Sequence, residues 1–216
     1  AKGPAMSREE AVKAIEVGIG MVADLKEKGY NVLATGEMGI GNTTTSSAVC
    51  SVLLDQSVEK VTGKGAGLTN KDLEHKIEVI RQSIALNKVN ADDPLDVLAK
   101  VGGLDIAGMA GCYIGGAALN IPVFIDGFIS SVAALIAIRL VPECAPYLFP
   151  SHCSNEPAGR MILDAIGKQP YILANMCLGE GSGAVMGFTI ADYAFKAYWE
   201  LPSFEQTNFG TYEELN

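Results

Sequence analysis

Apolar and polar positions alternate along this chain in two recurring patterns. Amphipathic segments open with helix-start signals, as where Ser7-Arg8-Glu9-Glu10 forms a capping box ahead of a segment that Gly29 ends. Short apolar runs that end in glycine loops are typical of buried strands. The pattern predicts helices over about 8–28, 42–54, 70–87, from Pro94 onward, 104–119, 130–140, 156–167 and 182–200, and strands over 30–35, 122–126, 147–149 and 171–178.

Strands that alternate with helices indicate an α/β fold. Such an order favours parallel pairing with right-handed crossovers, so we expect a Rossmann-like three-layer domain with a parallel sheet and helices on both faces. The domain is predicted to span 1–201. The remaining residues, 202–216, form a polar and aromatic tail that we interpret as an arm packing on a neighbouring molecule.

Three of the predicted strands end in an acidic residue beside glycine, at Glu37, Asp126 and Glu180. Ligands of open α/β sheets bind beyond the carboxyl ends of the strands. Burying three carboxylates together there costs free energy unless each is paired or binds a ligand. For Glu180, local composition leaves two interpretations open: a favourable charge at a helix start, or a general base that faces a pocket.

The first of these loops, residues 36–45, resembles a phosphate-binding loop without satisfying its known patterns. Asn42 occupies the place of the P-loop lysine, which argues against an ATPase or kinase. The third glycine of a dinucleotide fingerprint is missing after Gly39 and Gly41. A strand, a loop of free amides and a helix start remain, and they are suited to hold a single phosphate.

Composition narrows the classes of partner. The net charge of −9 argues against nucleic acid and anionic membrane surfaces as partners. Five cysteines without a CxxC pair suggest neither a zinc site nor a secreted disulfide framework, so reduced thiols in the cytoplasm are expected. The apolar stretch 129–141 is too short, and too interrupted by Arg139, to span a bilayer.

The segments GEMGIGNTTT, GKGAGLT, IDGFISS and LGEGSGA occur in this order from residue 36 to residue 184. Together they resemble the large domain of nicotinate-nucleotide:dimethylbenzimidazole phosphoribosyltransferases, over nearly the whole chain from Gly3 to about Tyr198. The chain has Cys177 just before LGEGSGA, where some members carry a basic residue. Family members are longer at the N-terminus, where a small helical part lines the base pocket, so this chain is expected to lack that part.

The resemblance implies transfer of the phosphoribosyl group of nicotinate mononucleotide to 5,6-dimethylbenzimidazole or a related base. The products are α-ribazole 5′-phosphate and nicotinate, in the assembly of cobamides. The leaving group of nicotinate mononucleotide is a pyridine, whereas that of phosphoribosyl pyrophosphate is a pyrophosphate whose charge a metal ion must neutralise. Neither a metal nor a cofactor is therefore expected. The acidic pair Asp92-Asp93 is interpreted as a helix cap before Pro94. The family also implies a homodimer.

The resemblance assigns the general base to Glu180, which would take the azole proton from a partly desolvated pocket. The 5′-phosphate is expected to bind to amides of the glycine loops, to Lys76 and to Ser154. On its own pattern, Lys76 reads equally well as a solvated lysine on an amphipathic helix. His75 and His152 are interpreted as structural or surface residues. The predicted substrate-binding residues are Glu37, Met38, Gly39, Gly65, Lys76, Asp126, Ser154, Leu178 and Gly179.

One alternative of a different class stays open. The same loops would also serve a phosphate-sugar binding module that has no catalytic activity. The identity of the accepted base is left open too, because benzimidazoles, purines and phenols differ by contacts that the sequence does not disclose.

Overall fold

A computed structural model describes residues 1–207. Residues 208–216, the end of the predicted tail, lie outside the described residues, so its role as an arm stays a prediction. The described helices are α1 (Arg8–Glu27), α2 (Thr43–Leu53), α3 (Val58–Val61), α4 (Asn70–Asn87), α5 (Pro94–Val101), α6 (Leu104–Ala118), α7 (Phe128–Leu140), α8 (Gly159–Ala165) and α9 (Ser182–Glu200). The described strands are β1 (Leu33–Ala34), β2 (Val123–Ile125) and β3 (Leu148–Pro150).

The three described strands form one parallel sheet in the order β1-β2-β3. Val123 of β2 pairs with Leu33 on one side and with Leu148 on the other. All residues of β2 are buried, because it is the central strand and packs against α6, α7 and α9. The predicted α/β class is confirmed. Parallel pairing brings the loops after β1, β2 and β3 to the same edge of the sheet.

A buried tyrosine connects that edge to the helices behind it. Tyr113 of α6 is fully buried, and its hydroxyl bonds to Thr35 Oγ1 and donates to the carbonyl of Ser130. Burial raises the pKa of the Tyr113 phenol, so it stays neutral and keeps its proton for these contacts. The end of β1 and the start of α7 are therefore anchored to one side chain.

Several helix starts follow the predicted capping chemistry. Ser7 Oγ accepts from the Glu10 amide at 3.1 Å, and the Glu10 carboxylate accepts from the Ser7 amide at 2.7 Å. Asp93 caps α5 through the amides of Leu95 and Asp96, as expected of a cap. The Arg8 guanidinium, 2.6 Å away, holds the pKa of Asp93 below its usual value.

The prediction of a strand over 171–178 is wrong. Only Ile172 pairs in β fashion, with His152, and Tyr171 and Leu173 are exposed. Asn175 has φ +50°, a left-handed conformation that ends an extended segment. The segment runs beside residues 151–155 as an irregular chain.

Other boundaries also differ from the prediction. The first strand covers two residues, and it is not buried as predicted, since Ala34 is exposed. Helix α7 begins at Phe128 without a side-chain cap, and Ser131 lies inside it, where its hydroxyl donates to the Gly127 carbonyl. Helix α8 is shorter than predicted, and it begins only after Pro157. Helix α3 was not predicted.

None of the helices in residues 1–207 has both the length and the apolar character needed to cross a membrane.

Candidate active site at the carboxyl ends of the strands

A cleft of about 180 Å³ opens at the edge of the sheet where the strands end. Its walls come from the loop after β1, the 63–67 loop, the start of α7, the segment after β3 and the segment before α9. The structure brings together nearly all of the predicted substrate-binding residues here: Glu37, Met38, Gly39, Gly65, Asp126, Ser154, Leu178 and Gly179.

Lys76 lies behind the cleft wall. It is 7% exposed, and its ammonium donates to Thr43 Oγ1 at 2.9 Å and to the Gly63 carbonyl at 3.0 Å. Burial lowers the pKa of Lys76, while Glu156 opposes that shift. The interpretation as a solvated surface lysine is therefore wrong. Since Thr43 lines the cleft and Lys76 does not, Lys76 reaches the cleft through Thr43.

Asp126 organises the start of α9. Its carboxylate is 1% exposed and accepts from the amides of Gly181 at 2.9 Å, Gly183 at 2.8 Å and Ala184 at 3.2 Å. A carboxylate at a helix N-terminus satisfies amides that have no partner within the helix. Asp126 borders the cleft, but both of its oxygens are already engaged by the loop that carries Glu180.

Glu180 lies in an unusual backbone conformation. It has φ +58°, between Gly179 and Gly181, which are also left-handed at +76° and +78°. The left-handed region is unfavourable for a residue with a Cβ, and such residues concentrate at functional sites. Two contacts hold the turn: the Glu180 amide donates to the Glu37 carbonyl at 2.8 Å, and the next amide donates to Asp126.

Among the described residues Glu180 does not line the cleft, so its role as a general base in a partly desolvated pocket stays a prediction. The side chain is exposed and borders a second, more open groove of about 490 Å³. Glu37 and Met38 line both the groove and the cleft, so the two spaces are neighbours. The left-handed turn directs Glu180 to the groove side of Glu37.

The two glycine loops that carry these acids touch through their backbones. A Cβ added to Gly36 would overlap the backbone nitrogen and Cα of Gly181. Glycine is needed at position 36 because it allows the Glu37 and Glu180 loops to approach this closely. This contact joins residues that are far apart in the sequence.

Gly36→Ala is expected to lower the free energy of unfolding by about 1–3 kcal/mol, the usual cost of overpacking a tight contact. The added methyl group would push the Glu180 loop away from Glu37. Chemical denaturation of both proteins measures the loss. Gly20→Ala is a matched control, since a Cβ at Gly20 has no neighbour within 4 Å and alanine favours a helix. Equal stability of Gly36→Ala and wild type would contradict the close contact.

Glu156 is a cleft residue that sequence reasoning missed. It is half-buried beneath Gly63, and its Oε2 is buried without a hydrogen-bond partner in residues 1–207. Burial raises the pKa of the Glu156 carboxyl, and the charge of Lys76 opposes the shift. A carboxyl and an ammonium thus share the region under the 63–67 loop.

His152 was also missed, whereas His75 is a surface residue as expected. His152 is 3% exposed and lines the cleft. The signal was present in the sequence, because His152 follows a predicted strand and strand ends meet at one edge. After the predicted strand 147–149, sequence reasoning selected Ser154 as a site residue and did not select His152.

The remaining walls suit a flat apolar group. Met38 is 61% and Leu178 is 68% exposed, which leaves apolar surface free to cover a ring. Cys177 also lines the cleft. In the described part of the chain, no three histidine, cysteine, aspartate or glutamate side chains form a cluster able to hold a metal ion.

Comparison with known proteins identifies the family. The DBI_PRT family model, described as phosphoribosyltransferase, matches residues 1–209. The chain belongs to this phosphoribosyltransferase family. A nicotinate-nucleotide–dimethylbenzimidazole phosphoribosyltransferase of Ruminiclostridium cellulolyticum is 56% identical over 99% of this chain, and one of Acetivibrio thermocellus is 51% identical over 99%. The family resemblance carried by the glycine-rich motifs is thereby confirmed.

Solved structures agree with this assignment. The crystal structure of CobT from Thermus thermophilus matches 94% of this chain with a TM-score of 0.88 and 34% identity. The predicted three-layer α/β fold is consistent with that likeness. The chain spans 61% of the length of these phosphoribosyltransferase relatives and of the CobT chain.

Proposed function

We propose that this chain carries the site that transfers the phosphoribosyl group of nicotinate mononucleotide to 5,6-dimethylbenzimidazole or a related base. The products would be α-ribazole 5′-phosphate, used in cobamide assembly, and nicotinate. The observation that supports this most is the contact between Gly36 and Gly181, which joins two acid-bearing loops beside one cleft. The names of the relatives support the same reaction.

The phosphate is proposed to bind among Gly39, Gly65, Thr43 and Ser154. Loop amides and hydroxyls are suited to phosphate oxygens, and Lys76 adds positive charge from behind Thr43. Substrate phosphate would then lie at one end of the cleft. Met38 and Leu178 would cover the flat rings at the other end.

The chemical step needs one base and no metal. An azole nitrogen attacks C1′ of the ribose, the bond from C1′ to the pyridinium nitrogen breaks, and its electron pair stays on nicotinate. The second azole nitrogen then loses its proton, which we propose that Glu180 accepts. Glu37, which borders both spaces, would stabilise the positive charge that develops on the ribose.

The test is to mix the chain with nicotinate mononucleotide and dimethylbenzimidazole and to look for α-ribazole 5′-phosphate by mass spectrometry. Release of nicotinate that depends on the benzimidazole is the expected result. A chain that fails to bind the nucleotide contradicts the proposal.

One alternative is supported by the exposure of Glu180. A general base that water reaches freely is poorly set up for proton transfer, which favours a nucleotide-binding module without catalytic activity. Tight nucleotide binding without any transfer, with saturating base, would be the outcome that supports it.

Lys76→Ala is expected to weaken nucleotide binding by about 0.5–1.5 kcal/mol, the usual worth of one hydrogen bond, because the ammonium acts on the phosphate through the Thr43 hydroxyl. Affinity for dimethylbenzimidazole alone should stay unchanged, because the ammonium lies behind Thr43 at the proposed phosphate end. Calorimetry with each ligand measures both. Lys71→Ala, on an exposed position of α4, is the matched control. Equal losses for both ligands would point to a structural lysine.

We also propose a homodimer that uses the outer face of α9. Among the described residues of this helix, only Gly183, Ala184 and Gly187 are buried. Its exposed apolar side chains include Ile190, Tyr193, Phe195, Tyr198 and Trp199. Sedimentation equilibrium would test this, and a monomer at micromolar concentration would contradict it.

A cytoplasmic location is proposed as well. All five cysteines are free thiols, which suits a reducing compartment. Fractionation of cells that express the protein tests this location. Detection of the protein in the membrane or external fraction would contradict it.

A further inference from the structure

His152 is held rigidly in the cleft and has no role in the steps proposed above. A Cβ added to Gly183 would overlap its Nδ1, and one added to Gly127 would lie 3.7 Å from its Nε2. The ring therefore packs between the end of β2 and the start of α9. The backbones of two glycines, Gly127 and Gly183, determine where the ring nitrogens of His152 lie.

The hydrogen bonds of Ser151 determine which ring nitrogen carries the proton. Ser151 Oγ lies 2.7 Å from the Ile125 carbonyl oxygen, which can only accept, so the hydroxyl proton is donated there. The same Oγ lies 3.1 Å from His152 Nδ1. Because its proton is already used, Oγ accepts from an Nδ1–H group. In the neutral ring, Nε2 then carries a free lone pair.

Nε2 is left as an acceptor for a ligand. It has no hydrogen-bond partner within residues 1–207, although His152 lines the cleft. Burial lowers the pKa of His152, against the opposing effect of Asp126, so the ring is neutral at physiological pH. Its environment thus presents a neutral acceptor to whatever occupies the cleft.

The position of Ser154 relates this acceptor to the proposed phosphate site. The amides of Ser151 and Cys153 bond to the carbonyls of Ile125 and Ile172, so the segment is extended. Side chains two residues apart on an extended chain lie on the same side, roughly 7 Å apart. This separation is comparable to that between the phosphate and the ribose hydroxyls of a 5′-nucleotide.

We propose that Nε2 of His152 accepts a hydrogen bond from a ribose hydroxyl of the bound nucleotide, an inference that rests on the proposed function. Ionised nicotinate mononucleotide has only its two ribose hydroxyls as hydrogen-bond donors. One of these two hydroxyls is therefore the group that can donate to a neutral acceptor beside the phosphate site. His152 would make the cleft selective for ribonucleotides over deoxyribonucleotides.

The test compares nicotinate mononucleotide with its 2′-deoxy and 3′-deoxy analogues by calorimetry at pH 7.5. The wild-type chain should bind one of the deoxy analogues about 3- to 10-fold more weakly, the equivalent of one hydrogen bond. In His152→Phe, which keeps a ring and removes the acceptor, this ratio should fall to about one. Cys153→Ala, on the opposite side of the same segment, should keep the wild-type ratio.

The pH dependence of wild type tests the same proposal without a variant. Protonation replaces the acceptor at Nε2 by a charged donor, so the ratio between ribo and deoxy ligands should change as the pH falls through the pKa of His152, which lies below that of a free imidazole. Asp126 from the end of β2 and Glu37, Glu156 and Cys177 from the other walls also face this region. Titration of these groups, or of the ligand phosphate, changes the affinities for the ribo and deoxy ligands alike. The ratio of the two affinities therefore reports on His152.

The outcomes are distinguishable. Equal binding of the ribonucleotide and both deoxy analogues by wild type overturns this inference and leaves the proposed function standing. Selectivity that survives in a folded His152→Phe does the same, as does a wild-type ratio that stays constant while the pH is lowered. If His152→Phe does not fold, the pH series on wild type decides. Absence of any nucleotide binding overturns both.

Discussion

Glu180→Gln is expected to lower the rate of phosphoribosyl transfer by about 10²- to 10⁴-fold, the usual contribution of a general base. Glutamine keeps the shape of the side chain and cannot accept the azole proton. Nucleotide affinity should stay close to that of wild type, because Glu180 borders the neighbouring groove and not the proposed phosphate end. The measurement is benzimidazole-dependent nicotinate release at saturating substrate.

Controls for this variant come from the same helix and the same loop. Glu200→Gln removes an exposed carboxylate at the far end of α9 and should keep full activity. Glu180→Asp keeps a carboxylate that is one methylene shorter, so it should lose less activity than Glu180→Gln. Near-native turnover of Glu180→Gln would show that another group takes the proton.

Asp126→Asn is expected to lower the free energy of unfolding by about 2–4 kcal/mol, because hydrogen bonds to a charged acceptor are each worth more than neutral ones. If the asparagine oxygen accepts from Gly183 and Ala184, its NH₂ group faces the Gly181 amide, and two donors oppose each other. The melting temperature should fall by about 5–10 °C in a chain of this size. Activity should fall as well, since the same amides hold the Glu180 turn.

Thermal unfolding followed by circular dichroism measures the stability of Asp126→Asn. Asp164→Asn, which removes an exposed carboxylate paired with Arg160, should stay within about 0.5 kcal/mol of wild type. A variant at Asp126 that melts like wild type would mean that the three amides find other partners. That result would remove Asp126 as the residue that organises the start of α9.

Much of the fold followed from local signals. The bounds of α4 and α9 agree with the predicted helices, and the Ser7 capping box and the Asp93 cap depend on residues within one helical turn. The weakest predictions were strand ends, because a strand is defined by its partners. Residues 171–178 are mostly apolar, yet the left-handed Asn175 and the exposed Leu173 prevent a ladder.

By itself the sequence determined eight of the nine described α-helices, the α/β class, the family and the glycine loops that border the cleft. These depend on periodicity, short-range capping and the conformational freedom of glycine, all of which act over a few residues. Only the tertiary structure decided which residues line the cleft and which line the neighbouring groove. Asp126 bonds to amides more than 50 positions away, and Glu180 opens to the groove because its turn is fixed by Glu37 and Asp126. Burial and long-range hydrogen bonds arise only when the strand ends meet, so no local pattern encodes them.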